Sequence, residues 1–169
     1  IIFHSTVKKF NKYEIEAVRN VINDFRQYKI EYAFVKISQN HLLELFDTSK
    51  EFVSKGKYSP TRGQIIHISD IETILCLKGG EQLKTPNSGH PKCILVSLHP
   101  DSTFRDIAYL SRQIYNFSFQ SWRSYFPSSL PVTILYSDLI AFYLGVFKSI
   151  PTWDEGYINN RAGTAKWFL

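Results

Sequence analysis

Two uninterrupted apolar runs, with a helical stripe between them, constrain the fold of this chain more than any other feature. Residues Ile1–His4 and Tyr32–Ile37 have the composition of buried strands. Between them, apolar residues recur at three- and four-residue spacing from Ile15 to Phe25, behind Asn11 as a helix cap. Strands without polar alternation suit a sheet that is covered on both faces. This segment therefore predicts a βαβ unit within an α/β fold.

Three further strands and two further helices are predicted downstream. The strands cover Gln64–Ile68, Glu72–Leu77 and Cys93–Leu98. A second helical stripe runs over residues 104–117, with Asp101-Ser102-Thr103 as its cap, and Pro131 opens an apolar helix over Val132–Phe147. We expect a mixed sheet of about five strands with helices on both faces. No linker or repeat interrupts the chain, so residues 1–169 are expected to form a single unit.

Composition excludes several classes of protein. No apolar run approaches the roughly 20 residues of a membrane span, and Asp138 interrupts the longest one. Cys76 and Cys93 lie within apolar runs, which favours buried thiols in a reducing, cytoplasmic compartment over a disulfide. The chain has no methionine, even at position 1, and is therefore expected to be a fragment of a longer protein. Its net charge of +5 permits a polyanion partner without demanding one.

Asp138 is the single carboxylate of the apolar 132–147 helix. An ionised carboxylate among apolar neighbours lies near an open helix end, is paired, or binds a cation. Two interpretations therefore stay open. Asp138 is either a first-turn residue that complements the helix dipole or a ligand in a metal site.

Basic and aromatic side chains are interleaved along residues 105–125, near a turn. They are Arg105, Arg112, Trp122, Arg123 and Tyr125. Arginines bind phosphates, and aromatic rings stack on bases or sugars. The alternative is that these arginines are solvated residues on a helix face.

The order of these segments resembles the PIWI domain of prokaryotic Argonaute proteins. Leu130-Pro131 with residues 132–141 is similar to the late helix of the family, and residues 106–115 and 117–123 resemble the helix and segment before it. Residues 60–64 resemble a turn that precedes a strand, and residues 1–36 match the earlier βαβ portion. The resemblance spans nearly the whole chain. It implies the C-terminal half of a ribonuclease-H-like sheet, with the MID domain and the rest of the PIWI domain upstream.

The resemblance also implies a degenerate catalytic centre. Active members cut a target by two-metal chemistry, which requires a cluster of carboxylates. After the first strand they carry Arg-Asp-Gly, where this sequence has His4-Ser5-Thr6. Ser5 cannot replace a charged metal ligand, whereas Asp138 matches the fourth position of the family. We therefore expect no intact catalytic set and no cleavage by this chain. Whether the full-length protein cuts its target is left open.

For binding, the resemblance implies a guide nucleic acid and its complementary target, held by their backbones for nucleic-acid-guided defence. The expected phosphate contacts are Arg123 and Arg112, supported by Lys84, Arg62 and Asn40. The C-terminal carboxylate of Leu169 is expected to help hold Mg²⁺ at the 5′ phosphate of the guide, and Asp138 is a further candidate metal ligand. An effector protein is a further expected partner.

Two alternatives remain at this point. One is an active, guide-directed two-metal nuclease in the full-length protein, with another residue in the role of Ser5. The other is an unrelated cytosolic α/β enzyme or interaction domain.

Overall fold

The computed structural model describes residues 1–6, 9–51, 56–83, 89–123, 125–152, 154 and 156. The strands are β1 (Ile2–Ser5), β2 (Ala33–Ser38), β3 (Ile65–Ser69), β4 (Glu72–Leu75) and β5 (Ile94–Leu98). The α-helices are α1 (Lys12–Asp24), α2 (Ile107–Phe117) and α3 (Val132–Phe147). Every strand and helix predicted from the sequence is present. Lys84 and Leu169 lie outside the described residues.

The strands form one mixed sheet in the order β1-β2-β5-β4-β3. β1 and β2 are parallel and are joined through α1, which confirms the predicted βαβ unit. The β2–β5, β5–β4 and β4–β3 pairs are antiparallel. The expected mixed α/β sheet is therefore confirmed.

Alternate side chains of β2 divide the interior into two cores, because successive residues of a strand point to opposite faces. Val35 and Ile37 belong to the larger core, together with Leu110 of α2 and Ile134 of α3. Phe34 belongs to a second core with Ile15 of α1. The sheet is thus covered by helices on both faces, which explains why β2 reads as a continuous apolar run.

A capping box begins α1. The backbone N–H of Glu14 donates to Asn11 Oδ1 at 2.9 Å, and the backbone N–H of Asn11 donates to Glu14 Oε2 at 2.8 Å. These two bonds satisfy backbone donors that the first turn of a helix leaves unpaired. Asn11 is therefore confirmed as the cap.

The cap predicted for the second helix is wrong. Asp106 caps α2 by accepting a hydrogen bond from the backbone N–H of Tyr109 at 2.8 Å. Two hydroxyls of the expected cap bind β2 and the residue before it instead: the N–H of Phe34 donates to Ser102 Oγ at 3.0 Å, and that of Tyr32 to Thr103 Oγ1 at 2.8 Å. Short hydroxyl side chains satisfy whichever backbone donors the fold brings near, and sequence alone does not say which.

The expectation of two separate thiols is also wrong, because Cys76 and Cys93 form a disulfide. Leu75 and Ile94 are register partners in β4 and β5. The cysteines follow and precede these two residues, so they face each other across the antiparallel pair. Both are buried.

No described helix is long and apolar enough to cross a membrane, in agreement with the sequence.

Candidate nucleic-acid interface

Three of the predicted site residues, Ser5, Asn40 and Asp138, lie at the edge of the sheet where β1 and β2 end. Since these strands are parallel, their carboxyl ends lie side by side, and Ser5 pairs in register with Lys36. The helix α3 reaches the same edge, where His4 Nδ1 lies 2.7 Å from Thr133 Oγ1. The parallel pairing and this contact place the start of α3 beside Ser5.

A pocket of about 320 Å³ lies between this edge and α3. Its walls are formed by the ends of β1 and β2, the loop after β2, and α3, namely Thr6, Lys36, Ile37, Ser38, Gln39, Asn40, Leu130 and Asp138. Gln39 is held in place by the hydrogen bond that its Nε2 donates to the carbonyl of Ser129 at 3.1 Å. The fold thus brings Asn40 and Asp138 into one site beside Ser5.

Asp138 lies in the second turn of α3, and the first turn contains no acidic residue. The interpretation of Asp138 as a first-turn residue that complements the helix dipole is therefore wrong, because that effect fades beyond the first turn. Its side chain is exposed and faces the pocket. It is available to an ion or ligand in the pocket rather than being tied to the helix end.

The residues that this segment contributes do not by themselves fit a two-metal centre. Within the described ranges, no group of three or more His, Cys, Asp or Glu side chains could hold a metal ion. Ser5 supplies a hydroxyl at the end of β1, and Lys36 lines the pocket together with Asp138. Mg²⁺ is bound through carboxylate, phosphate and water oxygens, and a neighbouring ammonium opposes it.

His4 is a half-buried residue that links β1 to α3. Burial lowers the pKa of the His4 imidazole to about 4, because the charged form loses its hydration. Its Nε2 atom is buried and has no hydrogen-bond partner among the described residues. His4 is therefore neutral at pH 7 and holds the strand against the helix, a role that its position in an apolar run did not reveal.

The predicted arginine contacts occupy three different environments. Arg112 is exposed on α2, and Arg123 is exposed in the connector before α3. Arg62 is half-buried, and its guanidinium lies 3.8 Å from the ring centroid of Phe119 and 5.6 Å from that of Tyr115. Arg62 is thus held in part by cation–π contacts.

A second cavity adjoins the start of α3, beside Arg123. It measures about 550 Å³ and is lined by Gln120, Trp122, Val132, Thr133 and Tyr136. The backbone N–H of Trp122 donates to the hydroxyl of Tyr136 at 2.8 Å, which joins the connector to the helix. The indole of Trp122 is 76% exposed, so a base or sugar can reach it.

The residue that sequence reasoning missed is Lys36. In the sequence, Lys36 is part of the apolar run that predicts β2. In the sheet, it belongs to a row of polar residues that crosses four strands. Ser5 pairs with Lys36, Lys36 with Ser97, and Ser97 with Glu72. The signal in the sequence was the alternation Lys36-Ile37-Ser38 at the end of β2, which indicates that one face is polar there.

No family model matches the chain. The chain is, however, 36% identical over 181 aligned residues to the protein argonaute of Cereibacter sphaeroides (strain ATCC 17025 / ATH 2.4.3), and the alignment covers 100% of the chain. The chain is a homologue of part of an Argonaute protein. This Argonaute-like chain spans 23% of the length of that relative.

Two solved Argonaute structures share the fold. The structure of Clostridium butyricum Argonaute bound to a guide DNA and a 19-mer target DNA matches with a TM-score of 0.58 and 14% identity, over 85% of this chain and 17% of that one. The crystal structure of Aa-Ago with externally bound siRNA matches with a TM-score of 0.54 and 19% identity, over 85% of this chain and 18% of that one. These matches confirm the expected PIWI-like, ribonuclease-H-like α/β fold.

Proposed function

We propose that this segment is the C-terminal portion of a PIWI domain and that it binds a guide–target duplex through its backbone phosphates. The pocket at the carboxyl ends of β1 and β2 supports this proposal, because its lining residues include a lysine, two side-chain amides and hydroxyls. Exposed arginines on α2 and in the connector before α3 add positive charge elsewhere on the surface. These groups donate hydrogen bonds to phosphate oxygens without reading base edges. Base pairing between guide and target would then supply the sequence specificity.

We further propose that the site does not cut its target. The observation that carries this inference is the position of Ser5, which ends β1 beside the pocket where a carboxylate ligand is expected. A serine hydroxyl is neutral and does not offset the charge of two divalent cations. In this proposal, Asp138 remains as a single carboxylate without a metal set, and the protein acts in guided defence by holding the target.

The remaining proposals concern groups beyond the described residues. The carboxylate of Leu169 would help to hold Mg²⁺ at the 5′ phosphate of the guide, and Lys84 would add a phosphate contact. The MID domain and the rest of the PIWI domain would complete the duplex channel, and an effector protein would act on the bound complex.

The test uses the full-length protein that carries this segment, loaded with a guide. A labelled matched target is incubated with Mg²⁺ or Mn²⁺, and retention and cleavage are measured in the same samples against an unmatched target. We expect selective retention of the matched target and no cut product.

Two results would contradict parts of the proposal. Guide-dependent cleavage that disappears in Asp138→Ala would show an active nuclease. Equal retention of matched and unmatched targets would remove the duplex-binding function, and an interaction domain would then be the better interpretation.

A further inference from the structure

We propose that Lys36 is a phosphate-binding residue, whose ammonium binds one phosphodiester of the duplex in the pocket between β1, β2 and α3. The positive charge at this position would then come from a side chain rather than from a metal ion. This inference rests on the proposed duplex-binding function and names a contact within it.

The position of Lys36 in the sheet is the first observation. Its register partners are Ser5 in β1 and Ser97 in β5, so it stands near the centre of the polar row. Ser97 Oγ donates to Glu72 Oε1 at 3.2 Å, which ties one oxygen of the Glu72 carboxylate to its neighbour in the row. None of the ion pairs formed between described residues includes Lys36.

The second observation is the shape of the surface around Lys36. A cavity of about 500 Å³ lies on the sheet, and the charged and aromatic residues that border it include Lys9, Phe10, Glu72 and His99. Lys36, Ser38 and Asn40 line both this cavity and the 320 Å³ pocket beside Asp138. The two spaces therefore share a polar wall along the end of β2.

These two observations favour a phosphodiester over a small free anion. Lys36 is half-buried, and no ion pair among the described residues uses its ammonium, so an anion that reaches the ammonium gains a charge–charge attraction. Two adjoining pockets with hydrogen-bond donors along their shared wall fit a continuous nucleic-acid strand, whose phosphates follow one another along the backbone. Asp138 on the far wall repels that anion and lowers the affinity.

The first experiment measures the affinity of the full-length, guide-loaded protein for a matched target at several salt concentrations. We expect Lys36→Gln to weaken binding about tenfold. The slope of the logarithm of the binding constant against the logarithm of the salt concentration should fall in magnitude by about one. Lys36→Arg should retain most of the affinity. The matched control is Lys29→Gln, since Lys29 is exposed and precedes β2, at the opposite end of the strand. It should change neither quantity.

Asp138→Asn separates this proposal from a metal site. If Lys36 supplies the positive charge, removing the nearby anion should tighten binding about twofold to threefold, and chelation of Mg²⁺ should not alter that gain. Wild-type binding that depends on Mg²⁺ and that is weakened in Asp138→Asn would indicate a bound metal ion and overturn the proposal.

The second experiment identifies the phosphate itself. Single neutral methylphosphonate linkages are placed in turn along the guide and the target. The neutral linkage at the phosphate that Lys36 contacts should weaken binding to the wild type about tenfold. The same linkage should not change the affinity of Lys36→Gln, as a double-mutant cycle requires for a direct pair. Lys36→Met, which keeps the apolar stem, repeats the test if Lys36→Gln does not fold.

The outcomes also separate this inference from the proposed function. Wild-type protein that does not retain a matched target contradicts duplex binding itself. The role of Lys36 alone is contradicted if the wild type retains the target and each neutral linkage weakens binding to the wild type and to Lys36→Gln by the same factor.

Discussion

The burial of His4 predicts a defined loss of stability at acidic pH. His4 lies between β1 and α3, and burial lowers its pKa from 6.5 to about 4. The unfolded chain therefore binds a proton more readily than the folded one between these two values. Above pH 6.5 both states are neutral at this residue, and folding carries no penalty. As the pH falls below 6.5, the unfolded state gains protons first and the folded state loses stability.

The size of this loss follows from the two pKa values. Between pH 8 and pH 5 the His4 contribution amounts to about 2 kcal/mol, and its limit below pH 4 is about 3 kcal/mol. A charged imidazole still donates from Nδ1 to Thr133, 2.7 Å away, but its buried Nε2 has no partner among the described residues. Hydration of the charged ring should therefore open the contact between β1 and the start of α3. Acid should therefore disturb the pocket beside Ser5 before it unfolds the larger core.

The assay compares urea unfolding of wild type and His4→Phe at pH 8 and pH 5. Carboxylates and other histidines contribute equally to both proteins, so the difference in pH dependence isolates His4. We expect the wild type to lose about 2 kcal/mol more than His4→Phe over this range. An equal loss in the two proteins would show that His4 is hydrated in the folded state and would refute the argument.

Three further predictions follow from particular contacts. Arg123→Ala and Arg112→Ala should each weaken duplex binding equally for all base sequences and lower the log–log salt slope by about one, as measured by titration of labelled duplex; unchanged slopes would mean that both are solvated surface residues. Asn11→Ala should lower the free energy of unfolding by about 1 kcal/mol in urea, because it removes the cap of α1, and an unchanged midpoint would contradict the capping box. Reduction of the Cys76–Cys93 bridge should cost about 3 kcal/mol, since it releases a loop with a sequence separation of 17; two free thiols in the unreduced, denatured protein would refute the disulfide.

The polar wall at the end of β2 gives this site its chemical character. It presents hydrogen-bond donors and Lys36 to two adjoining pockets, one of which Asp138 also lines. Such a surface holds an anionic backbone by charge and hydrogen bonds. The proposals for Lys36 and for the absence of cleavage therefore have one cause, which is that the pocket carries a cation and a serine where metal chemistry needs carboxylates.

Local sequence determined the elements of this protein. The strands, the capping box of α1 and the apolar helix after Pro131 depend on residue spacing and on neighbours within a few positions. These interactions act over a single turn or strand, so they can be read directly from the chain. The continuous apolar run of β2 also indicated a sheet covered on both faces, which the two cores confirm.

Only the tertiary structure decided which distant residues meet. The register of β4 against β5 brings Cys76 opposite Cys93, and the parallel pairing of β1 with β2 places Ser5 beside Lys36. The hydroxyls of Ser102 and Thr103, which could have capped a helix, instead accept hydrogen bonds from the backbone N–H groups at the start of the second strand segment. Register and packing minimise the free energy of the whole chain, so a short segment does not carry that information. For this reason the sequence predicted Asn40 and Asp138 as separate candidates, whereas the fold placed them in one pocket with Lys36.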